Sequence, residues 1–208
     1  MTGNPNLRYA DEPFKVRGHV ALRWMSCPFD AVLAEIRPGA SVLDYGCGHG
    51  LLALAAATER HATVLGVDID RRKVAVARRA ATPATTFAII GVGEIPDGRW
   101  DAICVIDVLY LMAADAQREM LTGLAGRLAP GGALIVKEMA SRPRAKAAWM
   151  RTQEQVMVRL IGATTGATLA FTEPAALEEA LRSSGLDVSS RALPHYPHPH
   201  HLVVGRRR

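Results

Sequence analysis

Apolar positions follow two rhythms along this chain. Phe29, Val32, Leu33 and Ile36 recur three and four apart, which predicts a short helix within Pro28–Ile36, closed by the turn Arg37-Pro38-Gly39. From Ser41 onward, short apolar runs alternate with longer stretches that are apolar on one side only. Ser41–Tyr45, Thr63–Asp68, Thr86–Ile90, Asp101–Ile106 and Ala133–Lys137 are predicted strands. His49–Glu59, Arg71–Ala80 and Asp115–Leu128 are predicted helices, with Asp115 placed to cap the last of them. The second and fourth strands are nearly continuous apolar runs, as expected of parallel strands buried on both faces. Repeated strand–helix units predict a doubly wound α/β domain with its ligand at the carboxyl ends of the strands.

Both ends of the chain depart from this rhythm. Residues 1–20 are polar and mixed, which suggests a loosely held arm or short helix, and His19–Met25 is a helical candidate stopped at Cys27-Pro28. Residues 141–171 place Trp149, Met150, Val156, Met157, Leu160 and Ile161 on a helical pattern. Such a stripe reads first as core, and secondarily as the lining of an acceptor pocket or a membrane-surface helix. Pro174–Ser184 is a further helix, closed by Gly185, and Leu186–Leu193 with His201–Gly205 form a final antiparallel pair. We expect one domain over residues 1–208, with 1–37 as an N-terminal arm and 139–185 as a helical insert and cap.

Composition narrows this picture. The 208 residues are 49% hydrophobic, enough for one substantial core. Three scattered cysteines fit a reducing compartment without a disulfide framework. There is no apolar run long enough to span a membrane and no signal-peptide pattern, so a cytoplasmic location is expected. The net charge is +5, concentrated in Arg71-Arg72-Lys73, Arg78-Arg79 and Arg206–Arg208. It reads first as solvated helix faces and a basic tail; nucleic acid, an anionic lipid or an acidic substrate is the second reading.

Candidate chemistry centres on Val42-Leu-Asp-Tyr-Gly-Cys-Gly-His-Gly50, a strand running into a glycine turn and then a helix start. Glycines allow a ligand to lie against backbone, and the helix start offers unpaired N–H groups. A dinucleotide fold wants a glycine where Leu51 stands, which argues against a nicotinamide-dependent oxidoreductase. Asp68 ends the second strand 22 residues after Gly46, where a carboxylate accepts hydrogen bonds from a ribose diol. Asp70 is better placed to cap the following helix, leaving Asp68 for ligand.

Together with Gly66–Asp70, Gly91–Pro96, Trp100-Asp101 and Leu128–Leu134, this stretch resembles the ordered motifs of class I S-adenosylmethionine-dependent methyltransferases. The likeness is good over residues 38–138 and loose thereafter. It implies a Rossmann-like, seven-stranded, mostly parallel sheet with an antiparallel last strand, and S-adenosylmethionine as cofactor. It further implies that Tyr45, Gly46, Cys47 and Gly48 lie along the cofactor's methionine and ribose. Asp44 holds the turn or the methionine ammonium. Asp68 takes the ribose, Ile69 the adenine face, and Gly93, Glu94 and Ile95 its other side. Asp107 falls near the amino end and the substrate. Where many members carry an acid before the proline of the third-strand loop, this chain has Gly91 and Val92, with Glu94 as the substitute.

The stretch after the fourth strand bears on the acceptor. Ile106-Asp-Val-Leu-Tyr110 lacks the prolines of amine-directed base methyltransferases, Cys104 lies inside an apolar strand, and Lys137-Glu138 replaces the Asp-Asn pair of metal-assisted transfer. A small-molecule or lipid-like acceptor is expected. Nucleic acid is not, although an RNA-directed enzyme or RNA-binding protein is the alternative raised by the basic pI. No catalytic residue is assigned; His201, Tyr196, His19 and Tyr9 are the candidates for a general base. His198 and His200 lack a supporting acid or cysteine, so no metal site is expected.

Overall fold

A computed structural model of the chain describes residues 5–139, 173–193 and 200–208. Within them a seven-stranded sheet has the order β3-β2-β1-β4-β5-β7-β6. The strands are β1 (Ser41–Tyr45), β2 (Thr63–Asp68), β3 (Thr85–Ile89), β4 (Trp100–Ile106), β5 (Leu128–Met139), β6 (Asp187–Leu193) and β7 (His200–Arg206). β1 to β5 pair in parallel, and β7 lies antiparallel between β5 and β6. The Rossmann-like sheet with an antiparallel last strand is therefore present.

Alternation along each strand sends side chains to two cores. Val42, Val64, Cys104, Ile135 and Leu202 face the helices α1 (Phe14–Ser26), α2 (Phe29–Leu33), α3 (Leu51–Glu59) and α4 (Arg71–Ala80). Leu43, Val67, Val105, Val136 and Val203 face α5 (Ala114–Gly126) and α6 (Pro174–Ser183). Both parities of β4 are buried, which is why its sequence shows no polar alternation. Full burial of each such side chain stabilises by about 1.5–3 kcal/mol.

Several bounds differ from the sequence expectation. Helix α5 is capped at Ala113, not Asp115, whose exposed carboxylate instead lies in the first turn and meets Arg118 at 3.5 Å. β5 begins at Leu128 because Pro130-Gly131-Gly132 is absorbed as an irregularity between the pairs Trp100↔Leu128 and Ala102↔Ala133. Only a residue without Cβ fits at position 132, since an added carbon would lie 2.9 Å from the Ala129 carbonyl oxygen. Helix α6 ends as expected: Gly185 donates to Arg182 O and Leu186 to Leu181 O, with Gly185 at φ +79°.

The N-terminal arm is held, not loose. A 3-10 turn over Pro5–Tyr9 leads into α1, which starts five residues before His19. Tyr9 is buried and its hydroxyl donates to His49 O at 2.6 Å; Glu12 pairs with Arg79 at 2.6 Å. Of the expected insert 139–185, residues 140–172 lie outside the described residues, as does the link 194–199, while its end forms helix α6.

Candidate functional site

The carboxyl ends of β1, β2 and β4 meet at the glycine turn. Its backbone is tied to β2, with Gly46 N and Cys47 N both donating to Val67 O at 2.8 and 2.9 Å. A Cβ on Gly46 would stand 2.4 Å from Val108 Cγ2. One on Gly50 would stand 2.7 Å from the Phe87 ring, and one on Gly66 2.6 Å from it. Those glycines serve internal packing. Gly48 differs: it sits at φ +54°, and the nearest atom to its missing Cβ is Lys73 Cδ at 4.0 Å. The open backbone of the turn is therefore at Gly48, immediately before the start of α3 at Leu51.

Asp68 braces this turn. Its Oδ2 accepts from Gly48 N and its Oδ1 from Asp70 N, each at 2.8 Å. Asp70 caps α4 through Arg72 N and Lys73 N, as expected. Asp68 is thus partly engaged, yet each carboxylate oxygen has a second lone pair, so two further hydroxyl donors can be accommodated. Ile69 is 42% exposed beside it, and Val92 is 75% exposed in the loop after β3.

Asp44 lies beneath the turn at 2% exposure, and its Oδ2 has no partner among the described residues. Burial, with Asp68 adding to it, pushes its pKa up to about 7. A buried carboxylate with an unused oxygen is complementary to a cation arriving at the turn. Cys47 is buried with its thiol pushed well above the ordinary range by burial and then by Asp44, so it does not act as a nucleophile.

The loop after β3 closes on itself. Glu94 Oε2 accepts from Gly91 N at 2.7 Å, and Tyr45 OH donates to Glu94 O at 3.0 Å. Tyr45 therefore points into the α5 face as a strut for this loop, while its backbone leads into the glycine turn. Gly93 makes the bend at φ +75°. Ile95 turns inward, its Cδ1 filling the space a Cβ on Gly123 would occupy at 2.5 Å.

Asp107 is enclosed by cations. Lys137 Nζ lies 2.8 and 2.7 Å from its two oxygens, and Arg23 Nη1 lies 2.6 Å from Oδ2. Burial would raise its pKa, but Lys137 and then Arg23 hold it below the usual carboxylate range. Its left-handed φ of +55° is one that Asp tolerates better than most residues. Beside it Glu138 accepts from Val108 N and Leu109 N at 3.0 and 2.9 Å, and burial followed by Asp107 pushes it up to about 8. Sequence reasoning missed Arg23, Lys137 and Glu138 as a unit. The charged pair at the end of an apolar strand was the available signal.

The four base candidates separate in space. Tyr9 is spent on His49 O, and burial raises its pKa further. His201 lies toward α6, where Glu178 is its charged neighbour. Tyr196 lies outside the described residues. His19 remains at the turn, its ring 5.0 Å from that of His49. Burial, then His19 and Lys73, lower His49 to about 4, so the imidazole is neutral at physiological pH. His200, not singled out as a base, meets Ser26 O at 3.1 Å through Nε2 and joins β7 to α1.

With this geometry established, the comparisons define the class. The chain belongs to the methyltransferase domain family, which it matches over residues 21–191. This is the class of S-adenosylmethionine-dependent methyltransferases. It is 36% identical over 118 residues to a ribosomal protein L11 methyltransferase of Thiobacillus denitrificans, covering 56% of this chain and 36% of that one. The chain thus spans about a third of the length of that relative. Among solved structures, a putative methyltransferase of Haloferax volcanii in complex with the Trm112 activator superposes with a TM-score of 0.73 at 17% identity, over 98% of this chain and 97% of that one. Magnesium protoporphyrin IX methyltransferase from Synechocystis PCC 6803 with bound SAH gives 0.69 at 20%, over 97% and 92%. These likenesses carry the fold.

Proposed function

We propose that this chain transfers a methyl group from S-adenosylmethionine to a small-molecule or lipid-like acceptor. The observation that carries the reading is the open backbone at Gly48, braced by Asp68 and lying over the unsatisfied carboxylate of Asp44. The residues fit the cofactor. Asp44 faces the ammonium directly or through water, and the backbone of Tyr45, Gly46, Cys47 and Gly48 follows the methionine and ribose. Asp68 accepts the ribose hydroxyls, while Ile69 and the loop of Gly93, Glu94 and Ile95 bound the adenine. Asp107 contributes through its pairing with Arg23, which sets the amino end of the cleft.

When bound, the cofactor supplies an activated methyl on a sulfonium. That methyl would pass to an acceptor lone pair with the carbon–sulfur electron pair staying on sulfur, so the residues of this chain would have to hold acceptor and cofactor in line and take up any proton the acceptor loses. The protein's part is alignment and exclusion of water. Of the base candidates, His19 is the one beside the turn, and it takes the proton in this reading.

Burial of Cys104 within β4 supports exclusion of cytosine-ring chemistry, since its thiol is pushed well above its ordinary pKa by burial. A protein acceptor, as the name of the ribosomal protein L11 methyltransferase relative implies for that enzyme, is the rival reading. The test is mass spectrometry of lipid and small-molecule extracts incubated with the chain and cofactor. A product heavier by one methylene, about 14 Da, is expected. Methylation of an added ribosomal protein, with the extract unchanged, would contradict the acceptor class.

A further inference from the structure

Helix α1 has two apolar faces. Val20 is buried, with Val16 and Trp24 packed beside it on the core. On the opposite side Phe14, Leu22 and Met25 are 85%, 63% and 69% exposed. At 3.6 residues per turn those three fall within an arc of about 80°. Lys15 and Arg17 are exposed on the two flanks of that arc, and Leu7, 79% exposed, protrudes from the preceding turn. Single exposed apolar residues are ordinary. Four of the seven large exposed hydrophobic side chains among the described residues on one short arm are not.

The helix is not loose: Arg23 anchors it to Asp107, and Glu12 just ahead of it pairs with Arg79. Its inner contacts are satisfied, so the outer side chains are presented outward from a fixed base. Helix α4, joined to the arm through Arg79, adds exposed Arg71 and Arg72.

We propose that the outer face of α1 docks on an anionic lipid surface. Protruding aliphatic and aromatic side chains with basic residues on either side are complementary to acyl chains beneath negatively charged headgroups. Charge argues against the other occupants. A second copy would bring Lys15 and Arg17 against the same residues of its partner. The stretch 140–172 carries five basic side chains against one acid, so it repels the same flanks. RNA would be met by the cations but gains little from Leu22 and Met25. The inference does not depend on the cofactor reading, and its test needs no cofactor.

The full chain is floated with vesicles of phosphatidylcholine alone and of phosphatidylcholine with phosphatidylglycerol. Wild type is expected to partition at least about tenfold more strongly onto the anionic vesicles. The variant Phe14→Ser/Leu22→Ser/Met25→Ser should lose at least about tenfold on those vesicles. Lys15→Gln/Arg17→Gln should lose about tenfold of the preference for anionic lipid while keeping the apolar strip. Thermal unfolding of each variant checks that the arm remains folded. Wild type left unbound by both vesicles, or both variants floating as wild type does, would overturn the proposal. So would a dimer or an RNA complex that the serine variant abolishes while vesicle binding is absent.

Discussion

Asp107 shows how much a single residue's role depends on partners far away in sequence. The family resemblance implied a place for it near the cofactor's amino end and the substrate. It is instead closed off by Lys137, fully buried, and by Arg23 from the arm. Removing it takes from the buried Lys137 ammonium the carboxylate it is hydrogen-bonded to, leaving only the neighbouring Glu138 to answer its charge. Asp107→Ala is therefore expected to cost about 3–5 kcal/mol, read as a lower midpoint in chemical denaturation. A loss within about 0.5 kcal/mol would mean the charges are hydrated in solution. Asp68 was legible as a candidate because a carboxylate ending the second strand stands beside the tip of the first. Its bracing of Gly48 was not, because a backbone donor leaves no mark on composition.

At the scale of elements, β1, β2 and α4 begin and end where their sequences predict, because each is bounded by strong local signals: glycines after β1, Asp70 before α4, Thr82-Pro83 after it. Where a local signal was overridden, the override came from tertiary pairing. Pro130-Gly131-Gly132 has every mark of a turn, yet its backbone continues β5 because Trp100 and Ala102 on β4 supply partners on either side. Likewise α1 extends back to Phe14 because its inner side chains pack on the core, while no periodicity was visible through Gly18 and the charges around it. The third glycine of the turn gives a test of element packing. Gly50 begins α3 at φ +84° with Phe87 against it. Gly50→Ala is expected to destabilise by about 1–3 kcal/mol, because both the left-handed backbone and the ring contact oppose a Cβ. Phe87→Leu in the same background should recover part of the loss; no recovery would place the cost in the backbone alone. Thermal unfolding of the single and double variants measures both.

At the largest scale, five parallel strands and a closing antiparallel pair make up the sheet among the described residues, and its order sets the ends of β2, β1 and β4 side by side at the glycine turn. That convergence was legible, and so was the family. The acceptor was not, because the stretches outside the repeating strand–helix units, the arm and residues 141–171, carry no motif that names a substrate. The central claim is that the cofactor's amino-acid half lies over Asp44 and its ribose on Asp68. Asp44 has a folded pKa near 7, raised above the ordinary carboxylate value. Its ionisation is therefore unfavourable in the free protein and favourable beside an ammonium. Binding of an ammonium ligand should then release a proton, and affinity should fall as pH drops through about 7. Calorimetric titration of the full chain with S-adenosylhomocysteine across about pH 6–8 measures this directly. The account predicts binding about tenfold tighter at the upper end than at the lower, a pH dependence lost in Asp44→Asn, and a loss of roughly 1.5–3 kcal/mol in Asp68→Ala. No binding by wild type, or binding indifferent to both substitutions, would contradict it.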